Sequence, residues 1–360
     1  MIKKEFISKT VILILLLFVN YSAQSQESYN FIPKNYIAYH TSESIHIDGK
    51  ADESSWGKVS WTDDFIDIEG VKTPTYRTRM KMMWDDVHFY FYTELEEPHI
   101  WGDITKKDAV VFYNNDFEIF IDPDGDTHNY YEFEMNALNT IWDLFITKPY
   151  RDIGNLVLNN WDYKDIKTAV QIDGTLNDPS DIDKKWTIEI AIPWKSINET
   201  YDEKIVSPKG ETWRVNFSRV NWDYNLIDGK YHRKKDKKTD KYLHEYNWVW
   251  SPQGVINMHE PEHWGYVYFS EKKVGEKDVF TYGKDEKIKY KLYELHRTQL
   301  SHFKKNKLWE MNLIPESITI DRKVIPLKTE MHITGYIISL KSPFTGKTLY
   351  IREDGKFGKL

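Results

Sequence analysis

The chain contains no cysteine. That excludes a disulfide framework, a thiolate nucleophile, a cysteine-built zinc site and a lipid-attachment cysteine. Long hydrophobic runs are missing as well. The longest, residues 11–19, is too short to span a bilayer, and nothing later exceeds it. Basic charge is not in excess: 49 Lys and Arg stand against 56 Asp and Glu, for a formal charge of −7. Such a chain has no electrostatic reason to seek nucleic acid or an anionic membrane. A nucleophile elbow, an H-E-x-x-H phrase and a phosphate loop are all lacking, as are internal repeats and low-complexity tracts.

What is present begins with a leader. Lys3, Lys4 and Lys9 precede the apolar run, and Ala23-Gln24-Ser25 follows as a small-residue processing site. This reads as a signal peptide over residues 1–25. The expected product is exported, periplasmic or extracellular, with no membrane attachment once the leader is removed. Aromatic residues make up 15% of the chain, including 24 Tyr and 14 Trp.

Two alternating runs flank Pro123-Asp124-Gly125-Asp126. The first places Phe117, Ile119 and Ile121 on one face, with Glu118 and Phe120 on the other. The second places Tyr131, Phe133 and Met135 against Glu132, Glu134 and Asn136. Period-two alternation split by a turn predicts an antiparallel pair with one buried face. The other face mixes carboxylates, amides and rings, whereas a merely solvated face would hold more Lys and Thr. A second hairpin is expected over residues 76–95, with Met80, Met82, Trp84, Phe89 and Phe91 inside. Further strands are expected at 141–146, 168–172, 186–192, 213–220, 248–250 and 266–269, and a mobile charged loop at 230–244. Many short strands without intervening helices predict an all-β, two-sheet antiparallel β-sandwich, jelly-roll-like, over residues 36–270. After Ser270 the pattern changes. Ile288, Leu292, Leu295 and Phe303 recur at helical spacing over 286–305, and short strands follow. Residues 271–360 are therefore expected to form a helix plus β-hairpin appendage.

With these segments in order, residues 36–270 resemble a carbohydrate-binding module of family 9. The matching phrases include Ile47-Asp48-Gly49 with Trp56, Met83-Trp84-Asp85-Asp86, Asn115-Asp116-Phe117-Glu118-Ile119-Phe120-Ile121-Asp122, the run from Trp186 to Trp194, and Trp264-Gly265-Tyr266. The resemblance implies a β-sandwich, often with structural calcium, attached to or acting beside secreted polysaccharide-degrading enzymes. It also implies that sugar-binding members clamp a terminal sugar between two tryptophans, aided by a glutamate and by Arg, Asn and Gln side chains. Glu118 matches that glutamate. Phe112 and Met258 fall where the two tryptophans stand, so the clamp is not reproduced. Trp101, Trp142 and Trp250 are the rings available as a replacement platform.

Sugar recognition needs a flat ring against the C–H face of a pyranose and planar polar groups for paired hydroxyls. Glu118, Glu134, Asn136, Asn216 and Arg219 are the polar candidates; the bland alternative for each is a salt bridge or hydrogen bond on a sheet face. Trp56, Trp84 and Trp186 read as core. Asp122, Asp124 and Asp126 begin like a calcium loop, but Thr127 and Phe133 break the EF-hand form. What is left is a site completed by backbone carbonyls, or an Asp-rich turn. Two other classes stay open. Glu118 with Glu132 or Glu134 offers a glycoside hydrolase pair, and Met258-His259 offers ligands to a haem-binding sandwich. The reading favoured is an exported protein that binds an oligosaccharide or polysaccharide during polysaccharide capture or catabolism, non-catalytic or weakly catalytic.

Overall fold

A computed structural model describes residues 33–197 and 207–360. The expected signal peptide lies outside the described residues. Fifteen strands precede the C-terminal region: β1 (Asn35–His40), β2 (Ile66–Asp67), β3 (Thr78–Trp84), β4 (His88–Glu96), β5 (Asp116–Asp122), β6 (Tyr130–Asn136), β7 (Ile141–Ile146) and β8 (Val157–Leu158), then β9 (Lys167–Asp173), β10 (Lys185–Pro193), β11 (Thr212–Asn221), β12 (Tyr224–Ile227), β13 (Lys230–Arg233), β14 (Tyr246–Val249) and β15 (Gly265–Lys273). The order along the main ribbon is β8-β7-β6-β5-β11-β15-β1-β3-β4-β10-β9, with β14 extending β11 and pairing β2.

The ribbon folds into two layers. Phe91 of β4 meets Phe217 of β11 at 5.8 Å, and Phe89 meets Phe269 of β15 at 4.9 Å. The β-sandwich expected from the alternation is present. Its two layers are joined by β1, which runs parallel to β15 over Asn35–Ala38 and parallel to β3 at Tyr39 and His40. Every other pairing among the described residues is antiparallel, both between chain neighbours and across longer connections such as β4 with β10 and β5 with β11. β1 pairs in parallel because its partner β15 closes the domain, so the connection between them is the domain itself.

Alternation decides which side chains fill the gap between layers. Met80, Met82, Trp84, Phe89, Phe91 and Leu95 enter the core from one layer, and Phe117, Ile119, Ile121, Tyr131, Phe133 and Met135 from the other. Each such side chain contributes about 1.5–3 kcal/mol when fully buried. Outside the first hairpin, Glu94 is held by Arg79 at 2.9 Å and by Lys185 at 2.6 Å. Trp56, on helix α1 (Ser54–Lys58), is fully buried and donates its indole N–H to Glu189.

One expectation needs correction. The charged segment 230–244 is not a free loop: its first residues form β13, paired with β12 through an Asp228-Gly229 turn in which both residues have positive φ. The helix and hairpin expected after Ser270 are present, with further strands beside them. Helix α2 (Glu286–Asn306) ends at Lys307 in the left-handed conformation. Hairpin β16 (Ser317–Ile320) and β17 (Lys323–Pro326) follows, then a meander of β18 (Lys328–Met331), β19 (Tyr336–Lys341), β20 (Thr348–Arg352) and β21 (Phe357–Lys359). Ile288, Leu292 and Leu295 pack into a separate core with Ile318, Ile325 and Ile338. Among the described residues no helix is long and apolar enough to cross a membrane.

Candidate ligand-binding cleft

The polar face of β5 and β6 is not a solvated surface. It is the floor of a cleft of about 390 Å³. Register builds the floor: Glu118 lies opposite Glu134 and Phe120 opposite Glu132, while Trp142 and Leu144 of β7 lie opposite Glu134 and Glu132. Phe112 and Trp142 line the walls, joined by Tyr150 and Arg151 from the loop after β7 and by Met258 and His259 from the loop before β15. A larger cavity of about 580 Å³ opens between the Asp-rich turn and α2; of the candidate residues only Asp124 and Asp126 line it.

The floor is electrostatically unusual. Burial pushes Glu118 up to about 7, and Glu245 nearby adds to the rise. Burial and then the Glu118 charge hold Glu132 well above the ordinary carboxylate range. Glu134 is raised likewise, first by burial and then by Asp116, Glu118 and Glu132, although one of its oxygens accepts the Phe112 N–H at 3.0 Å. Burial lowers His259 to about 3, with Arg151 adding to the effect, so its imidazole is neutral. Its Nδ1 is 2.7 Å from the Tyr130 hydroxyl and its Nε2 is 3.8 Å from Glu132. Only Nδ1 is within hydrogen-bond distance of a partner, and the ring packs edge-on against Phe120 and Tyr150.

Of the ten side chains selected as ligand candidates, the cleft brings together Glu118, Phe112, Glu134, Trp142 and Met258. The other five lie elsewhere. Trp101 is buried and stacks on Tyr231 of the β12–β13 hairpin at 6.2 Å. Asn136 closes the turn after β6, accepting the Leu138 and Thr140 N–H groups. Asn216 is spent on both main-chain groups of Ser251. Arg219 points into the core and pairs with Glu97 at 2.7 Å, neither of them solvent-exposed. Trp250 is buried between the layers against Phe217. Glu132, Tyr150, Arg151, His259 and Asp116 were not among the ten, although Glu132 entered the hydrolase reading and His259 the haem reading. Glu132 and Asp116 carried a signal, since period two from Glu134 and Glu118 puts them on the same face. Tyr150 and Arg151 sit on a loop and carried none.

The Asp122, Asp124 and Asp126 carboxylates do converge within 4.8 Å. Part of their charge is met. Asp122 accepts the Gly125 and Thr127 N–H groups, Asp126 pairs with Lys356 at 3.0 Å, and buried Lys289 donates to the Gly125 carbonyl. Gly125 has φ +66°, as this tight turn requires. A calcium ion held by these carboxylates would displace Lys356 from Asp126 and compete with Lys289 for the Gly125 carbonyl.

The model of the carbohydrate family 9 binding domain-like family matches residues 47–265. The chain belongs to that family. Three solved structures are similar to the chain at low identity. One is a candidate carbohydrate-binding protein from Bacteroides uniformis ATCC 8492, at 14% identity, covering 66% of this chain and all of the other, with a TM-score of 0.49. The other two are a family 9 module from Caldicellulosiruptor kristjanssonii in complex with glucose and with cellotriose. They are 16% and 14% identical, each covering 69% of this chain and all of the module, with TM-scores of 0.43 and 0.41. No curated protein matches the chain. Within this family 9 domain, Phe112, Glu118 and Met258, the three positions singled out by the family phrases, line one cleft.

Proposed function

We propose that the protein is exported and binds carbohydrate in the β5–β6–β7 cleft, in the service of polysaccharide capture or catabolism. The observation that carries this reading is that rings and acids share one open cavity in a family 9 domain. Phe112, Trp142 and Tyr150 offer apolar faces, while Glu118, Glu132 and Glu134 offer acceptors for hydroxyl pairs. Ring contacts of about 0.5–1.5 kcal/mol and charged hydrogen bonds of about 1.5–3 kcal/mol each give millimolar to micromolar affinity, roughly −4 to −8 kcal/mol. Isothermal titration with xylo-, cello- and manno-oligosaccharides tests it, with Glu118→Ala as control. Heat that vanishes in the variant is the expected result; no heat with any glycan defeats the reading.

The raised Glu118 keeps a glycosidase reading in view, because perturbed carboxylates cluster at catalytic sites. Glu118 and Glu134 lie side by side on one floor and do not face each other across a ligand, as an acid and nucleophile flanking a glycosidic bond must. Reducing sugar released by the wild type and abolished in Glu118→Gln is the outcome that reverses this preference.

A further inference from the structure

Among the described residues, four groups of acidic or histidine side chains converge closely enough to hold an ion. Three carry their own counter-charge. Lys107 sits among Asp108, Asp143 and Asp162, at 3.0 and 2.8 Å from the first two. Arg297 reaches Glu262 at 2.6 Å beside Glu260 and His263. In the group of Asp122, Asp124 and Asp126, Lys356 pairs with Asp126 at 3.0 Å, and buried Lys289 donates to the Gly125 carbonyl beside them. The fourth, Asp116 with Glu118 and Glu134, has no such partner: among the described residues none of the three forms an ion pair. Asp116 is fully buried, and neither of its oxygens has a hydrogen-bond partner of good geometry. The nearest guanidinium along the strands, Arg219, faces the core and belongs to Glu97. Arg151 at the cleft wall is committed to the Ile256 carbonyl and the Tyr150 ring.

We propose that Asp116, Glu118 and Glu134 bind one divalent cation of the calcium class at the floor of the cleft, and that the cation's open positions take two neighbouring hydroxyls of a glycan. The ligand atoms lie within 4.8 Å of one another, about the span across one ion whose oxygens coordinate at roughly 2.3–2.6 Å. An all-carboxylate set suits a hard cation and offers nothing to a soft one. Three buried carboxylates without a counter-charge are expensive, and burial raises all three above their ordinary range. Glu118 and Glu134 line the cleft, while Asp116, two residues along β5 on the same face, is fully buried beside them, so an ion shared by the three keeps an open side only towards the lumen. The cation site stands apart from the carbohydrate reading; only the capture of hydroxyls rests on it.

Calorimetric titration of the chelator-stripped full chain with calcium chloride tests the site without any glycan. The expected stoichiometry falls by one calcium in Asp116→Asn and is unchanged in Asp124→Asn. Calcium raises the wild-type melting temperature by mass action and fails to raise that of Asp116→Asn. The stripped variant melts above the stripped wild type, because a buried charge has gone. Should Asp116→Asn not fold, Glu134→Gln reads out the same quantities. Undiminished calcium binding in a folded variant, or none in the wild type because protons neutralise the cluster instead, overturns the site. The second half is read by titrating oligosaccharide with calcium and with chelator. At least tenfold weaker binding in chelator is expected, and equal affinity overturns hydroxyl capture. Absence of glycan binding in both conditions, with calcium still bound, counts against the carbohydrate reading alone.

Discussion

Glu118 and Glu134 sit directly opposite one another on adjacent strands, both inside the cleft. Two buried carboxylates held this close disfavour each other's charge, and Asp116, Glu132 and Glu245 add to the repulsion while neutral His259 does nothing to relieve it. The domain therefore carries an electrostatic cost at the place where its ligand is expected to bind.

That cost has a pH signature. Glu118 titrates near 4.5 in the unfolded chain and near 7 in the folded one. The folded state holds the proton more tightly, so the group costs nothing below pH 4.5. Stability then falls as pH rises from about 4.5 to about 7, by about 3 kcal/mol for this residue. Urea denaturation in chelator at pH 4.5, 6 and 7.5 checks it, with Glu118→Gln expected to show a shallower decline. Parallel curves for the two proteins rule out the effect.

Trp142 and Trp101 should part company on mutation. Trp142 borders the cleft, so Trp142→Ala is expected to weaken glycan binding about 2- to 10-fold, one ring contact of about 0.5–1.5 kcal/mol, with little change in melting. Trp101 is sealed under Tyr231. Trp101→Ala should cost about 3–5 kcal/mol of stability and leave affinity unchanged in the protein that remains folded. Calorimetry and thermal denaturation of both variants decide the matter; the reverse pattern would move the platform to Trp101.

Much of this arrangement was legible because strands repeat every two residues. Once Phe117, Ile119 and Ile121 are assigned inward, Glu118 must face outward, and the same rule ties Glu134 to it. Phe112 and Met258 came from the family phrases, since neither lies in a regular strand. Alternation also held information that went unused: the period that buries Phe217 buries Arg219 as well. Other features leave no local trace. A hairpin folded over Trp101 is a tertiary event, and the Lys-rich run that follows it, residues 234–238, disguised its second strand as part of a loop. The parallel pairing of β1 with β15 joins the two ends of the domain, and no window of sequence contains both.

Arg219 and Glu97 form a buried pair with no solvent to take over from either partner. Arg219→Ala should destabilise the domain by about 3–5 kcal/mol, chiefly by stranding the Glu97 carboxylate. Replacing both with apolar residues of similar volume, Arg219→Met with Glu97→Leu, should recover most of that loss. Urea denaturation of the single and double variants measures the difference. A double variant no more stable than Arg219→Ala would place the energy in hydrogen bonds to Thr78 and Asn221 instead.

Arg297 gives the C-terminal region a bearing on the cleft. From α2 its guanidinium reaches Glu262 at 2.6 Å and Asp152 at 3.2 Å. Asp152 follows Tyr150 and Arg151 in one cleft wall, and Glu262 follows Met258 and His259 in the other. One side chain therefore ties together both loops that border the cleft. Glu262 is buried, and Arg297 holds its carboxyl down at about 2 against the opposing effect of burial. A group depressed in this way lends stability above its unfolded value of 4.5 and loses it as pH falls towards 2. Arg297→Ala should cost about 3–5 kcal/mol, remove that acid-side dependence, and weaken glycan binding by loosening Tyr150 and Met258. Arg297→Lys keeps the charge but not the two-sided reach, so it should recover part of the stability and less of the affinity. Hydrogen exchange in residues 147–158 and 255–264, measured beside calorimetric affinity, separates the two effects. Faster exchange with unchanged affinity would show that these walls need no bracing.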